Sequence, residues 1–447
     1  MNRNKAYLAV IAVSLAVSGC GNEQVDDATR KQQNAEHIIP TEQQYTQPII
    51  RSSREETNKV QEMVENQTTD YLEKDKPTPI FRRDAHAKAH GCVMATMKIA
   101  DDLPKQVRNV GVFTPGKEYK AWIRYSSGNG LLQSDTEKDA RGMAIKLMDV
   151  DGERLLSSKH SMATPIQDFL MINYPTFFLD TLEEYQVFAR MQTDGDPVGY
   201  FFLGNNPFKW KWRQFFKGMG VLGFIPPWLP LNPLYEHYHS MTPYALGVKQ
   251  HGDEPRDPVQ VMRYAAEGVD CKALDKKPEK VGEQRKSDDN YLRQNLTTHL
   301  GKSKACFRFN LHLQNPLKDM PVEEPTKPWP GAKVVHAATI TIPKQEFDTP
   351  LQSDFCESMA YSPWQGLKEH RPLGAINRVR KAVYEEISLY RHMRNVCPDD
   401  SRECSIYGQP KGRIHQPTGW CIKRNEYGDP IADDSCKASA SEVLSGK

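Results

Sequence analysis

Residues 371–394, RPLGAINRVRKAVYEEISLYRHMR, have the hydrophobic periodicity of an amphipathic helix. At about 100° per residue, the apolar positions fall on one stripe, which comprises Ile376, Val379, Val383, Ile387 and Tyr390. The opposite face, predicted to be solvated, comprises Arg378, Lys381 and Glu385. The pattern therefore predicts a helix that packs one face against the rest of the protein.

Three polar side chains border the apolar stripe of this helix. With Arg380 at zero on the helical wheel, Tyr384 falls at about 40° and Arg391 at about 20°. Burying such groups at the edge of a core is costly unless each has a partner. An adjacent guanidinium favours the ionised phenolate, and a buried phenolate is a hard anionic ligand suited to ferric iron. Tyr384 is therefore a candidate iron ligand, with Arg380 holding it as the phenolate.

Several short runs, apolar or alternating and bounded by Gly, Asp or Pro, predict β-strands. They are Val93–Ile99, Tyr119–Tyr125, Met143–Val150, Phe169–Tyr174, Cys306–Leu313 and Lys333–Ile342. Their spacing is typical of an antiparallel barrel. Together with the helix, they predict an α+β fold with an antiparallel β-barrel core and surrounding helices.

The stretch Phe215–Tyr235 is apolar and aromatic, and prolines interrupt it. It cannot span a bilayer as a helix, because Pro226 and Pro227 lie at its centre. One interpretation is a buried loop or short helix on the barrel. The other is an interfacial patch with a basic rim that binds a lipid surface, and the rim comprises Lys209, Lys211, Arg213 and Lys217.

The N-terminal residues predict export. A basic start is followed by an apolar run over residues 6–17 and by the small residues that precede Cys20. We interpret residues 1–19 as a lipoprotein signal peptide and Cys20 as the lipidated first mature residue, facing the periplasm and most consistent with the outer membrane. The alternative is an ordinary cleaved signal. Residues 20–75 are polar, without a sustained helical or strand period, and predict a tether.

The residues that follow the tether have the composition of a large folded region. With 59 Lys+Arg against 57 Asp+Glu, the charge gives no reason to expect nucleic acid as a partner. The expected domain boundaries are a folded domain at 76–395 and a cysteine-rich tail at 396–447.

Nine cysteines are present, and an exported chain permits disulfides. Four of them, at 397, 404, 421 and 436, predict a small disulfide-stapled tail whose pairing stays open; a zinc site is the alternative. Cys92 and Cys356 stand in apolar sequence and are expected to be buried free thiols.

Six segments, in order, resemble the catalases. The helix Arg380-x-x-x-Tyr384 with Arg391 resembles their haem-ligand helix, and Arg83-x-x-His86 precedes YKAWIRYSSGNG, DARGMAIKLMDVDG and QDFLMINYPTFF. The remaining likeness lies near residues 321–348. The surrounding sequence looks like the catalase-related branch, as a minimal haem-binding domain in a bacterial lipoprotein form.

The resemblance implies roles for individual residues around haem b. His86 would be the distal base and Ser126 would orient it, with His90 as a rival base. Tyr384 would ligate the iron and Phe178 would stack on the ring. The propionates would pair with Arg83, Arg124 and Arg391. Catalases also keep a distal Asn in an Asn-Asn-Thr-Pro-type segment. The segment of this chain that we align with it is residues 163–168, ATPIQD, which contains no Asn; Gln167 is the candidate replacement.

The resemblance therefore implies a haem-dependent enzyme that cleaves organic or lipid hydroperoxides, or hydrogen peroxide. Two alternatives remain open at this stage. One is a true catalase that disproportionates hydrogen peroxide, and the other is a haem-binding lipoprotein without catalysis.

Overall fold

The computed structural model describes residues 40–66, 82–130, 132–155, 166–194, 199–203, 206–221, 230–251, 254–282, 284, 286–349, 352–353, 356–357, 359–396, 422–424 and 430–432. Cys20 and the four tail cysteines lie outside these residues, as do the signal peptide and most of the tail.

Eight strands form a closed antiparallel barrel. The strands of the main sheet are β1 (Ala89–Ile99), β2 (Glu118–Ser127), β3 (Arg141–Met148), β4 (Ile166–Ile172), β5 (His237–His239), β6 (Tyr244–His251), β7 (Glu254–Val269), β8 (Ala305–Leu313) and β9 (Lys333–Ile342). Neighbours follow the order β5-β4-β3-β2-β1-β9-β8-β7-β6, and an additional β5–β7 pairing closes the barrel. Strand β6 pairs with β7 beside the closed ring. A separate two-stranded ribbon joins β10 (Ile422–Arg424) and β11 (Pro430–Ala432).

Helices flank the barrel. They are α1 (Pro40–Asn66), α2 (Leu182–Thr193), α3 (Trp212–Val221), α4 (Tyr291–Leu300) and α5 (Ala375–Val396). The α+β class and the antiparallel barrel that the sequence predicts are confirmed.

The barrel interior is the main hydrophobic core. Because successive side chains point to opposite faces of a strand, alternate residues such as Val93, Ala95 and Met97 on β1 are buried inside the barrel. A second cluster covers the outer face of β1 to β4, where Trp122 packs with Cys92 and Met359. This outer face is the one on which the candidate site is built.

Three strands of the main sheet, β5, β6 and β7, have no counterpart among the sequence predictions. Strand β5 has only three residues, and β7 begins with Glu254, Pro255 and Asp257, which are poor strand formers. Strand β6 contains Gly247 at φ +79°. Tertiary pairing overrides these local preferences.

Helix α1 corrects the prediction of an unstructured tether over residues 20–75. Ile49 and Ile50 pack against the α5 stripe formed by Ile376, Val379, Val383 and Ile387. Within α1 the apolar positions are few, so the local sequence does not reveal a helix that depends on its contacts with α5 and α2.

Arg378 is also a correction, because it is buried rather than solvated. Its Nε and Nη2 atoms donate to both carboxylate oxygens of Glu42 at 2.7–3.1 Å, and its Nη1 atom donates to Glu323 at 3.3 Å. Glu42 lies 336 residues away in the chain, so the helical wheel cannot reveal the pair.

We expect Glu42→Ala to destabilise the fold by about 3 kcal/mol, because it leaves the buried Arg378 guanidinium with one partner fewer. The free energy of unfolding from denaturant titration measures this. Arg190→Ala is the matched control: it removes an exposed ion pair to Asp194, and its loss should be below about 1 kcal/mol. Equal losses for the two variants would contradict a stabilising role for the Glu42–Arg378 pair.

Two disulfides are present among the described residues. Cys92 pairs with Cys356, with Cα atoms 6.0 Å apart, and Cys271 pairs with Cys306. The expectation of free thiols at Cys92 and Cys356 is therefore wrong. An apolar environment buries a disulfide as readily as two thiols, and 264 residues of separation conceal the partner.

The stretch Phe215–Tyr235 falls partly outside the described residues, at 222–229. Its first part belongs to the amphipathic helix α3, and Leu234 near its end is buried in the barrel core. None of the helices in the described part of the chain is both long and apolar enough to cross a bilayer.

Candidate functional site

The candidate site lies between the chain entering β1, the outer face of β2 and helix α5. Residues 82–88 provide Arg83 and His86, and β2 provides Arg124 and Ser126. Even-numbered residues of β2 point away from the barrel interior, since Trp122 belongs to the outer cluster and Tyr125 to the inner one. Helix α5 provides Arg380, Tyr384 and Arg391.

His86 is held by the backbone and by Ser126, as the sequence predicts. Its Nδ1 atom lies 2.8 Å from the Ser127 carbonyl and 3.0 Å from the Ser126 hydroxyl. A carbonyl only accepts, so neutral His86 has its proton on Nδ1 and a lone pair on Nε2. His86 has a left-handed backbone, φ +60°, which is uncommon outside glycine and frequent at functional sites. This geometry gives a base of defined tautomer.

The imidazole is neutral at physiological pH. Burial, followed by the positive charges of Arg124, Arg380 and Arg83, lowers the pKa of His86 to about 4, although the bond to Ser127 opposes this. Arg380 lies on α5, which carries Tyr384, and Arg124 lies on β2. Positive charges on both sides of the site therefore lower the pKa of His86.

Gly142 on β3 leaves the space that His86 fills. A Cβ atom at Gly142 would lie 2.6 Å from His86 Nδ1 and 2.8 Å from Ser126 Oγ. We expect Gly142→Ala to displace the imidazole; for the haem-dependent hydroperoxide cleavage that the resemblance implies, turnover should fall by about 100-fold, as misplacement by an ångström can cause, with the haem content unchanged. Steady-state kinetics with a spectroscopic haem assay measures both quantities. The control is Gly301→Ala, at the end of α4, where φ is −67°; unchanged turnover in Gly142→Ala would contradict the placement of His86.

The three arginines that the resemblance assigns to the propionates converge on one carboxylate, Glu357. Arg83 Nη1 lies 2.6 Å from Glu357 Oε1, Arg124 Nη2 lies 3.6 Å from Oε2, and Arg391 Nη1 lies 4.0 Å from Oε1. Arg391 also donates to the Glu357 and Met359 carbonyls. The structure therefore brings Arg83, Arg124 and Arg391 together.

The charges in this cluster do not balance. Three guanidinium groups contact one carboxylate, and Arg82 and Asp84 lie close enough to act on them, so the basic groups of the cluster outnumber the acidic ones by two. Burial raises the pKa of Glu357, but Arg83 and Arg124 lower it by more, so the carboxylate is ionised. Burial, with the charge of Arg83 next, lowers the pKa of Arg124 and of Arg391 to about 9. The Arg124 Nε atom is buried without a hydrogen-bond partner. An anion with two negative charges would fit this cluster.

Glu357 is the residue that sequence reasoning missed. It follows Cys356, and the disulfide to Cys92 on β1 fixes this segment against the barrel. A single Glu in a loop gives no local signal. The position of Glu357 beside the arginines becomes predictable only once the Cys92–Cys356 disulfide is known.

Arg380 and Tyr384 form the predicted pair on α5. Arg380 Nη2 donates to the Tyr384 hydroxyl at 3.2 Å, and its guanidinium carbon lies 5.2 Å from the Tyr384 ring. Arg380 Nη1 also donates to Asn377 Oδ1 at 3.0 Å, which fixes the guanidinium. Burial lowers the pKa of Arg380, but interactions with Tyr384 and Tyr244 raise it by more, above its ordinary value. The guanidinium therefore stays charged beside the Tyr384 oxygen.

Phe178 lies in an aromatic cluster at the side of the site. Its ring contacts Phe177 at 5.0 Å and Phe188 at 4.8 Å. Phe177 in turn contacts Tyr185 at 6.0 Å and packs with the α5 stripe. Among the contacts described, Phe178 reaches His86 or Tyr384 only through such neighbours.

His90, the rival base, belongs to a different network. Its Nε2 atom lies 3.2 Å from the Ser127 hydroxyl, and its Nδ1 atom lies 3.5 Å from Asp135. Asp135 also binds Lys88 at 2.8 Å. Because His90, Ser127 and Asp135 are fully buried, this network supports the strand beneath His86 and favours His86 as the base.

The interpretation of the distal amide requires a correction. Gln167 lies in β4, where its side chain binds the Asp168 carbonyl and the Leu367 amide, so it does not serve the site. The sequence also contains Asn173, two residues before Pro175 and five before Phe178. Asn173 Oδ1 accepts from the Arg141 amide at 2.7 Å, and Asn173 Nδ2 donates to Glu236 at 3.1 Å, so both ends of this amide are bonded to residues other than His86. The described contacts therefore bring neither Gln167 nor Asn173 to His86.

Comparison with solved structures finds catalases. The chain is similar to a fungal catalase (16% identity, TM-score 0.48, 70% of this chain and 60% of that chain). It is also similar to catalase A from Saccharomyces cerevisiae (17%, 0.49, 79% and 70%) and to a bacterial catalase (14%, 0.48, 80% and 69%). No protein-family model and no curated protein matches the chain.

The chain spans 60% of the length of the fungal catalase. With identities of 14–17% and TM-scores below 0.5, the likeness lends no argument about activity. What the site does is argued below from its own residues.

Among the described residues, no group of three or more His, Cys, Asp or Glu side chains could hold a metal ion. The donor set does fit a haem: one tyrosine oxygen beside a fixed cation, and a buried cluster with two excess positive charges for the two propionates.

Proposed function

We propose that this protein binds haem b through Tyr384 and cleaves hydroperoxides with His86 as the proton-transferring base. The observation that supports this most directly is the pairing of a neutral imidazole of fixed tautomer with an arginine-held tyrosine across one site. Arg83, Arg124 and Arg391 would bind the propionates by charge-assisted hydrogen bonds and share them with Glu357.

When bound, ferric haem would supply the iron centre at which the peroxide O–O bond is polarised and cleaved. His86 Nε2 would take the proton from the hydroperoxide and return it to the leaving oxygen. Ser127 and Ser126 would keep the second ring nitrogen protonated, so that Nε2 remains the acceptor. Arg380 would stabilise the anionic tyrosine oxygen throughout.

A haem titration of the purified chain tests the proposal. We expect one haem per chain and a tyrosinate-type ferric absorption spectrum, with turnover of an organic hydroperoxide such as cumene hydroperoxide. Stoichiometric binding without turnover of any hydroperoxide would leave only the haem-binding alternative. Absence of stoichiometric binding would remove the proposal altogether.

We propose organic or lipid hydroperoxides as substrates at least as good as hydrogen peroxide. The alternative is a true catalase that disproportionates hydrogen peroxide, although the amides of Gln167 and Asn173 are bonded to residues other than His86. Oxygen release from hydrogen peroxide, compared with the consumption of cumene hydroperoxide by the same preparation, decides between them.

The acid limb of the pH profile should report His86. The imidazole must be neutral to accept a proton, and its pKa is about 4. We therefore expect the titration of His86 to have no effect on kcat/KM above pH ~5, and kcat/KM to fall about tenfold per pH unit below pH ~4. Stopped-flow measurement after a rapid pH jump separates this effect from slower acid unfolding.

A second titrating group requires a control for this profile. Burial, followed by the charge of Asp84, raises the pKa of Glu56 to about 7. Glu56→Gln should remove any step near neutrality and keep the limb near pH 4. A single limb near pH 6.5 in this variant would contradict the buried, arginine-flanked environment of His86.

Export and anchoring through a lipidated Cys20 remain part of the proposal and rest on the sequence of residues 1–20. Mass spectrometry of the mature N-terminus tests them, since lipid on Cys20 adds a defined mass.

A further inference from the structure

Four large apolar side chains are exposed together on the segment that leads into and forms α3. Leu203, Phe208, Trp212 and Phe216 have relative exposures of 50%, 97%, 43% and 56%. We call these four residues the aromatic face. Trp212 and Phe216 stack with centroids 6.4 Å apart, and Phe202, Trp210 and Phe215 support them from behind. Isolated exposed apolar residues need no explanation, whereas a contiguous group indicates an interaction surface.

The charge around the aromatic face has one sign in the sequence. Residues 197–235 contain Lys209, Lys211, Arg213 and Lys217 and no acidic residue. Lys211 pairs with Glu184 of α2 at 2.9 Å. Arg213 and Lys217 both hydrogen-bond to Thr326, which is uncharged and donates in turn to Asp180. Two neighbouring carboxylates thus offset part of a fourfold positive charge, and the remainder complements an anionic surface.

The polar requirements of the aromatic face are already satisfied within the protein. Trp212 Nε1 donates to the Pro207 carbonyl at 3.0 Å, and leucine and phenylalanine side chains have no polar atoms. These rings can therefore enter an apolar phase without losing a hydrogen bond to water. Aromatic rings with cations beside them are typical of proteins that bind at a bilayer interface.

We propose that the aromatic face docks this protein onto an anionic lipid surface, with Phe208, Trp212 and Phe216 inserted at the acyl boundary. The face is continuous with the candidate site through packed rings. Phe216 contacts Phe215 at 5.5 Å, Phe215 contacts Phe201 at 5.7 Å, Phe201 contacts Phe188 at 6.5 Å, and Phe188 contacts Phe178 at 4.8 Å. Docking therefore turns the aromatic side of the site towards the bilayer, and membrane hydroperoxides are the substrates it would favour; this last step rests on the proposed function.

Quenching of tryptophan fluorescence tests the docking directly. The full chain is mixed with vesicles of phosphatidylethanolamine and phosphatidylglycerol that contain brominated acyl chains. We expect quenching in the wild type that Trp212→Phe largely removes, although other tryptophans remain. Phe208→Ser with Phe216→Ser should reduce the vesicle-dependent quenching about tenfold, and Leu317→Ser, an exposed apolar residue at 93%, should not. Equal quenching in the wild type and in Trp212→Phe would overturn the proposal.

A second copy of the chain is the competing occupant of the aromatic face. If sedimentation without vesicles shows a dimer that Phe208→Ser with Phe216→Ser dissociates, the proposal is overturned in favour of self-association. The turnover of hydroperoxides, which tests the proposed function, is measured separately from docking. With docking intact and no turnover of cumene hydroperoxide, the proposed function fails and the docking stands. If the same double variant retains cumene hydroperoxide turnover and loses that of vesicle-bound phospholipid hydroperoxide, both stand.

Discussion

We expect Tyr384→Phe to lower the affinity for the proposed haem by more than about 100-fold, beyond the 10–100-fold typical of partners that only support a ligand. The change removes the hydroxyl to which Arg380 Nη2 donates, while the ring and its packing are preserved. The arginine cluster around Glu357 remains and still attracts the propionates, so weak binding without a tyrosinate spectrum persists. A haem titration followed by absorption spectroscopy measures both properties.

Tyr390→Phe is the matched control, because it removes a hydroxyl from the same helix. The Tyr390 hydroxyl donates to Asn58 of α1 at 2.7 Å, at the contact between α1 and α5. This variant should bind haem as the wild type does. Identical spectra for the wild type and Tyr384→Phe would show that another residue ligates the iron.

His86→Ala lowers hydroperoxide turnover by about 10²–10⁴-fold, the range expected for loss of a positioned general base. Haem binding should persist, since the His86 ring bonds to Ser126 and Ser127, and Arg124 donates to the His86 carbonyl, which alanine retains. The comparison of turnover per bound haem in the two proteins measures the effect without interference from changes in haem content.

His336→Ala is the control for this substitution. His336 is half-buried on β9, where its ring binds the Ala338 carbonyl, and its loss should leave turnover unchanged. If His86→Ala keeps full turnover, the base is elsewhere. His90 would then require its bond to Ser127 to open, since it is enclosed with Asp135.

The elements with strong local patterns could be predicted from the sequence. Helix α5 was predicted at residues 371–394 and is found at Ala375–Val396, and Lys333–Ile342 is a strand with the predicted bounds. The pairs Arg380–Tyr384 and His86–Ser126 were predicted as well, the first from helical spacing and the second from the resemblance. In each of these the decisive information lies within a short segment or a familiar motif.

The remaining features depend on contacts between distant parts of the chain. Glu42 reaches Arg378 across 336 residues, and Glu357 reaches Arg83 across 274. A buried carboxylate among arginines leaves no periodic signal in the sequence. The Cys92–Cys356 bond was likewise invisible, because apolar neighbours are compatible with thiols and with a disulfide.

The docking of α1 on α5 sets how far the protein can stand from its anchor. A tether from Cys20 to residue 75 could extend to about 190 Å, at the maximal rise per residue of an extended chain. Because residues from Pro40 onward are folded onto α5, only about 20 residues separate that contact from Cys20, and the limit falls to about 70 Å. With lipid on Cys20, as proposed, the domain is confined to a thin layer above the bilayer, where its local concentration at the membrane is high and a weak docking surface suffices.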